Sequence, residues 1–241
     1  MMFIGMGATL HWAQETIATL HAVIDQLKQR YGLPRVRLLD VPCGDMAWMS
    51  RFLTTRDDVD YTGVDIVPDL IRHHSEAFAG RPWKFVLSDV VHDGIDSSNG
   101  SYDLVLCRTF LQHLYFPDVH RLLSHMSVLA HIADRPIYLL TTTFAGHPAN
   151  DELVIDADNP GRFRRLNLEI PPISLSPPLC ITRDGPPDAY DGWNHFIGLW
   201  KLPLRRLSDC WKPTPVAVKE FPHKLFSCVD WSVRAKFRTS S

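Results

Sequence analysis

The stretch Val36-Arg37-Leu38-Leu39-Asp40-Val41-Pro42-Cys43-Gly44-Asp45-Met46-Ala47-Trp48-Met49-Ser50-Arg51-Phe52-Leu53 decides the fold. It opens as a short apolar run closing on an acid, the pattern of a strand buried on both faces of a parallel sheet. A turn, Pro42-Cys43-Gly44-Asp45, follows, and Met46 to Leu53 then has helical periodicity. The unit is strand, tight turn, helix.

The same grammar extends in both directions. Before it, Leu10, Ala13, Ile17, Leu20, Ile24 and Leu27 recur at helical spacing between Thr9 and Arg30, and Gly32-Leu33-Pro34 stops the run. After it, Tyr61 to Ile66 reads as a second strand with an acid near its end, and Pro68 opens a helix where the first turn tolerates proline. Trp83–Asp89, Tyr102–Cys107 and Pro136–Thr142 read as further strands, with a helix near Pro117–Leu129. Such alternation predicts a mostly parallel sheet covered by helices on both faces. Beyond Thr143 the rhythm breaks into irregular loops. Leu179–Thr182 and Asn194–Leu202 are the last strands, and the segment between them is too short for a crossover helix, so they pair antiparallel.

Composition bounds the class. The 241 residues carry 25 Lys and Arg against 27 Asp and Glu, a formal net charge of −2, so the molecule as a whole lacks a polyelectrolyte grip on nucleic acid or anionic lipid. No apolar stretch approaches the ~18 residues that cross a bilayer, and the start MMFIGMGATLHWAQ lacks a cationic region followed by a long apolar core. The expectation is a cytoplasmic protein without a membrane partner. Five scattered cysteines with no C-x-x-C pair, and histidines without H-E-x-x-H, point to no metal. Residues 205–241 hold eight Lys and Arg against three acids, a balance of +5 that leaves −7 for the rest. No nucleic acid is expected for the core; for this basic tail the question stays open.

In an open parallel sheet, ligands bind beyond the carboxyl ends of the strands. Three successive strands here deliver Asp40, Asp65 and Asp89 to that rim. A carboxylate after the second strand suits the two hydroxyls of a ribose, because it accepts hydrogen bonds without a rival donor. Acids at strand ends also occur as ordinary solvated loop residues, but three in register around a small-residue turn favour a nucleoside site. The first turn has a single glycine, Gly44, where a dinucleotide site needs G-x-G-x-x-G, and no Walker loop is present. A nucleoside without phosphates fits best.

These motifs support a resemblance. LLDVPCGDMAWM, YTGVDIVPDLI, FVLSDVVHD, YDLVLCRTFLQHL, LLTTTF and RRLNLEIPPI, in this order, resemble class I S-adenosylmethionine-dependent methyltransferases. The nearest likeness is to a group with D-V-P-C-G-D first and L-N-L-E-x-P-P downstream. The resemblance runs from about Gly7 to Lys201. It implies an α/β fold, a Rossmann-like seven-stranded mostly parallel sheet with helices on both faces and a C-terminal antiparallel hairpin. It also implies a domain over 1–204, divided into an N-terminal lid and helix (1–34), a cofactor-binding core (35–143) and acceptor loops with the final hairpin (144–204). Residues 205–241 form an extension beyond it.

Carried over by residue, the resemblance places Asp40, Pro42, Cys43, Gly44 and Asp45 under the methionine moiety of S-adenosyl-L-methionine. Asp65 holds the ribose and Ile66 packs on the adenine. Asp89 accepts from the adenine amino group beside Val90, and Cys107 and Arg108 line the sulfonium end. Gly7-Ala8-Thr9 closes as a lid. In the commoner D-x-G-x-G-x-G form, glycines stand where this chain has Pro42 and Met46, and Pro42 serves only if that position needs no positive φ.

Methyl transfer to an O or N acceptor needs a base only where the acceptor must lose a proton. His113, six residues past the fourth strand, is the expected catalytic base, with a packed core histidine as the competing reading. The methyl acceptor is unidentified: a small molecule, a glycan or a protein side chain. Its pocket is expected between Phe144 and Ser174 and from Tyr190 to His195, with Arg164, Asn167 and Trp193 as substrate contacts. The alternative is a catalytically inactive S-adenosylmethionine-binding regulatory or scaffolding protein; a nicotinamide dehydrogenase is a more distant rival.

Overall fold

The computed structural model describes residues 9–96, 101–133, 135–154, 162–185 and 195–204. The chain begins with α1 (Leu10–Tyr31), then β1 (Val36–Asp40), α2 (Met49–Thr54), β2 (Val59–Asp65), α3 (Pro68–Ala77) and β3 (Lys84–Leu87). It continues with β4 (Leu104–Cys107), a 3-10 turn at Leu111–His113, α4 (Phe116–Ile132), β5 (Tyr138–Thr143), β6 (Cys180–Arg183) and β7 (Phe196–Lys201). The strands form one seven-stranded sheet in the order β3-β2-β1-β4-β5-β7-β6. β1 to β5 run parallel, and β7 lies antiparallel between β5 and β6. This is the expected fold class, including the antiparallel closing pair.

Alternation along the strands sorts two cores. Leu38, Leu104, Leu106, Tyr138, Leu140, Ile197 and Leu199 face the side covered by α1, α2 and α3. Leu39, Val105, Cys107 and Leu139 face α4, whose Val119, Leu122 and Met126 are fully buried. The period of 2 along each central strand therefore gives both faces an apolar surface to cover. The second face has an unexpected cover. Leu166, Leu168, Ile173 and Leu175, in the segment expected to be irregular loop, are buried against it. Asn150 fixes that segment by donating to the carbonyls of Asn167 and Pro171 and accepting from the Asn167 amide. The loop lacks regular structure but completes the core.

One boundary differs from expectation. The helix after β1 begins at Met49, not Met46, because Met46 adopts φ 60°. That left-handed conformation cannot continue into a right-handed helix. Among the described residues, no helix is long and apolar enough to cross a membrane, and no cluster of His, Cys, Asp and Glu is arranged to hold a metal.

Candidate functional site

The loop from Val41 to Trp48 is held almost entirely by its own protein. The Val41 amide donates to the Leu106 carbonyl and the Cys43 amide to the Val64 carbonyl, both at 2.9 Å. The Gly44 amide donates to Asp65 Oδ2 at 3.1 Å, and the Ala47 amide to Asp45 Oδ1 at 3.0 Å. Gly44 has φ 56° and Met46 φ 60°, so two of the three glycine positions of the commoner motif keep a left-handed backbone. Pro42 is not among the positive-φ residues, which answers the sequence-level condition on it. With its amides turned inward, the loop offers no nest for a pyrophosphate.

Three acids stand around this loop. Asp65, buried at the end of β2, accepts from the amides of Gly44 and Val67, which fixes its carboxylate against the loop. Next to it Ile66 is 59% exposed, an apolar side chain left open beside a buried carboxylate. Asp89, two residues past β3, accepts from the amides of Val91 and His92 and from His92 Nδ1. Burial raises the pKa of Asp89, and the bonds from His92 and Val91 outweigh it and hold it below the usual carboxylate value. Val90 beside it is buried. Asp40, at the end of β1, is buried and accepts the Tyr61 hydroxyl at 2.9 Å. Burial pushes its pKa up to about 7; Asp65 adds to the rise, while Tyr61 and Arg108 oppose it.

Past β4 and β5 the rim is built differently. Arg108 is buried and joins four elements. Its guanidinium pairs with Asp184 Oδ1 at 2.8 Å, donates to Thr16 Oγ1 and the Trp12 carbonyl of α1, and lies 5.6 Å over the Trp48 ring. Cys107 lies on the α4 side, fully buried, with burial raising its thiol to about 12, so it is an inert packing group. Thr109, a β-branched residue at φ 51°, is held there by its amide bond to Thr142 Oγ1. A backbone this strained at the end of a central strand is typical of a site whose surroundings over-determine it.

Four planar rings then line up along this half. His113 lies 5.9 Å from Phe163, Phe163 5.8 Å from Phe144, and Phe144 stacks on His195 at 4.9 Å. His113 Nδ1 is 3.2 Å from the Arg162 carbonyl. Arg164 is buried, donates to the Leu114 carbonyl and lies 4.1 Å over Phe116. Asn167 is buried as well, its amide bonded to the His147 carbonyl and the Glu169 amide. Both side chains therefore hold the loop that carries the ring row. Trp193, Gly7 and Ala8 lie outside the described residues, and Thr9 serves as the N-cap of α1. A groove of about 430 Å³ lined by Arg51, Phe78, Arg81 and Trp83 shares no residue with this rim.

Sequence reasoning gave His74 and Asp184 no role in the site and named His195 only as the end of the expected acceptor stretch Tyr190–His195. His74, on α3, is buried and reaches the Gly44 carbonyl with Nε2 at 2.7 Å, so a second element clamps the first loop. Its helical register beside Ile71 marked it as inward-facing, though not its target. Asp184 gave no local signal, because its partners Thr16 and Arg108 come from α1 and the end of β4.

Residues 39–133 match the family model described as a methyltransferase domain. No curated protein matches the chain. Among solved structures, the chain is similar to 1,6-didemethyltoxoflavin-N1-methyltransferase from Burkholderia thailandensis, crystallised with 1,6-didemethyltoxoflavin and S-adenosylhomocysteine. The identity is 17%, over 79% of this chain and 80% of that one, with a TM-score of 0.54. It is also similar to the PH0226 protein from Pyrococcus horikoshii OT3, at 13% identity over 83% of this chain and 96% of that one, with a TM-score of 0.51. At these identities the likeness is one of fold. The family match spans the segment from the end of β1 through α4.

Proposed function

We propose that the chain is an S-adenosylmethionine-dependent methyltransferase that moves a methyl group to an O or N acceptor on a small molecule, glycan or protein side chain. The observation that carries this reading is the rim around the first loop. Its amides are engaged internally, and Asp65 and Asp89 stand beside the exposed Ile66. That set of acceptors suits a nucleoside bearing hydroxyls and an amino group, and it suits no phosphate. Gly44, with nothing within 4 Å of a side chain built on it, leaves open space above the loop for the methionine part of the donor.

In this reading Asp65 accepts from the ribose, Ile66 and Val90 flank the adenine, and Asp89 accepts from its amino group. Asp40, Pro42, Cys43 and Asp45 support the methionine end from below. Arg108, with Cys107 behind it, marks the passage from the donor half of the rim to the acceptor half. The donor supplies an activated methyl on a positively charged sulfur. The chain supplies alignment and exclusion of water, and orientation alone contributes up to roughly 7–11 kcal/mol in such displacements. On the acceptor side His113 is the candidate that its sequence position offers to take the acceptor's proton, Arg164 and Asn167 hold a loop beside it, and Trp193, outside the described residues, is kept as a substrate contact.

The test is calorimetric titration of the full chain with S-adenosylmethionine and, in parallel, with NAD. Radiolabelled methyl transfer to fractionated cell extract follows. Binding of S-adenosylmethionine with transfer into one fraction is expected. Binding without transfer means a scaffold, and NAD binding in its place means a dehydrogenase.

A further inference from the structure

We infer that His195, rather than His113, takes the proton of the methyl acceptor, with Asp184 behind it as its positioning residue; the inference rests on the methyltransferase reading. His195 immediately precedes β7, and β7 runs antiparallel to β5 with Phe196 opposite Thr143. The start of β7 therefore stands at the same edge as the carboxyl end of β5, where the acceptor belongs. Phe144, the residue after β5, stacks on the His195 ring at an interplanar angle of 24° and fixes its plane.

Behind the ring sits Asp184, whose side chain is 0% exposed. Its Oδ1 receives Arg108 and Thr16, and its Oδ2 faces Thr142 Oγ1 at 3.4 Å and His195 Nε2 at 3.7 Å. The Asp184 amide also donates to the His195 carbonyl at 3.0 Å, which ties the two backbones together. His195 Nε2 is buried and has no hydrogen-bond partner among the described residues. At 3.7 Å it is too far from the carboxylate for a hydrogen bond, yet aimed at it. Such contacts in ligand-free sites tighten when the reacting complex forms. With its proton on Nε2 toward Asp184, the neutral ring carries its lone pair on Nδ1. His113 has a backbone carbonyl behind its Nδ1 instead, which orients a ring without stabilising a positive charge on it as well as a carboxylate does.

Electrostatics agree with the geometry. The charged groups acting on His195 are Asp184 from the end of β6 and Arg108 from the end of β4, while Thr142 of β5 faces Asp184. Burial lowers the His195 pKa, Asp184 raises it and Arg108 lowers it, leaving the ring neutral at physiological pH. Burial raises the Asp184 pKa, but Arg108 and His195 hold it below the usual value, so its carboxylate is ionised. In the step, the acceptor O–H or N–H gives its proton to His195 Nδ1 and the freed electron pair bonds the methyl carbon. The carbon–sulfur pair returns to sulfur, leaving a neutral thioether. The positive charge lost by sulfur appears on the imidazolium, facing Asp184.

The experiment uses the full chain, with S-adenosylmethionine as the titrant and radiolabelled transfer to the extract fraction as the rate. If the wild-type chain does not bind S-adenosylmethionine, the methyltransferase reading itself falls. If it binds and methylates nothing, the reading narrows to a scaffold and this inference is overturned alone. Otherwise His195→Gln should lower transfer about 100-fold or more while donor affinity stays within about twofold, and His113→Gln should keep at least about a third of wild-type transfer. The wild-type rate should fall on the acid side with a midpoint below about 6.5. An independent readout is the NMR titration of the His195 ring: its midpoint lies below about 6.5 and drops further in Asp184→Asn, which removes the group that raises it. If His195→Gln does not fold, the wild-type profile and the NMR titration decide. A rate without any acid limb, a His195→Gln variant with near-normal transfer, or a ring midpoint unmoved by Asp184→Asn overturns the inference.

Discussion

At the amino-terminal end of the sheet, Asp103 receives the Arg37 amide and guanidinium and the Arg135 guanidinium, and Asp58 receives Arg56 and Lys28. At the carboxyl-terminal end, Asp40, only three residues beyond Arg37 on β1, has Tyr61 as its hydrogen-bond donor among the described residues and an Asp65 charge nearby. Asp40 titrates in the opposite sense to Asp103 and Asp58. Burial raises Asp103, but its arginines hold it below the usual value; Arg56 and Lys28 likewise hold Asp58 low against burial. Asp40 is raised to about 7. At the amino ends of β1, β2 and β4 these ion pairs close the sheet and serve stability. At the carboxyl end Asp184 is paired with Arg108, but Asp40 is bonded to a neutral hydroxyl and Asp65 to backbone amides, which costs stability and leaves carboxylates for a ligand. This division follows from the sheet itself, since open α/β sheets take ligands at the carboxyl ends of their strands.

The comparison breaks most readily at Asp103. Asp103→Ala leaves two arginines without their buried carboxylate, and the expected loss is about 3–5 kcal/mol of unfolding free energy. Arg37 and Arg135 keep 31% and 26% of their side chains exposed, so hydration places the result at the lower end. Urea denaturation measures it. The donor affinity of the folded fraction should not change; a loss of affinity alongside stability would join the two ends.

Asp40 gives the next largest effect, with the opposite sign. A carboxyl whose folded pKa is raised binds its proton more tightly folded than unfolded, so stability falls as pH rises from about 4 through about 7. Asp58 and Asp103, with depressed values, contribute stability above about pH 4 that is lost as pH falls through their folded pKa. Asp40→Asn keeps an acceptor for Tyr61 and removes the charge. It should gain about 2–4 kcal/mol at pH 8 and nothing near pH 4, because each tenfold difference in proton affinity between the folded and unfolded chain is worth about 1.4 kcal/mol. Denaturation curves at the two pH values check it, and equal effects at both would show that Asp40 titrates as an ordinary carboxylate. Asp65→Ala should then cost about 1–3 kcal/mol of S-adenosylmethionine binding by calorimetry, from lost charge-assisted hydrogen bonds. Unchanged affinity would remove Asp65 from the donor site.

The carboxyl-end acids were legible because strand periodicity places the last residue of an apolar run at the rim, so Asp40, Asp65 and Asp89 could be located from spacing alone. The closing antiparallel pair was legible from the shortness of its connection. The meeting of Arg108, Asp184 and His195 was not, because Asp184 lies 76 residues from Arg108 and 168 from Thr16, and no periodicity reports such a meeting. The conformation of Met46 was hidden for another reason. A methionine reads as helix former, and only the surrounding bonds, including the Tyr61 hydroxyl on its sulfur, show why it holds φ 60°. Leu166 to Leu175 looked like loop because their burial follows neither helical nor strand spacing.

The smallest prediction probes whether the two ends are independent. α1 reaches from one to the other: Trp12 and Thr16 hold Arg108 at the ligand end, and Gly32 caps the helix at φ 62° shortly before β1. The Gly32 and Leu33 amides both donate to the Lys28 carbonyl, and a side chain on Gly32 would meet nothing within 4 Å. Gly32→Ala therefore adds backbone strain without a steric clash, at about 1 kcal/mol. If the ends are separate, that loss appears in denaturation curves while S-adenosylmethionine affinity matches wild type. If affinity falls with it, strain at the cap travels along α1 to Thr16 and Trp12 and so to Arg108. The closed end of the sheet would then help to set the geometry of the open one.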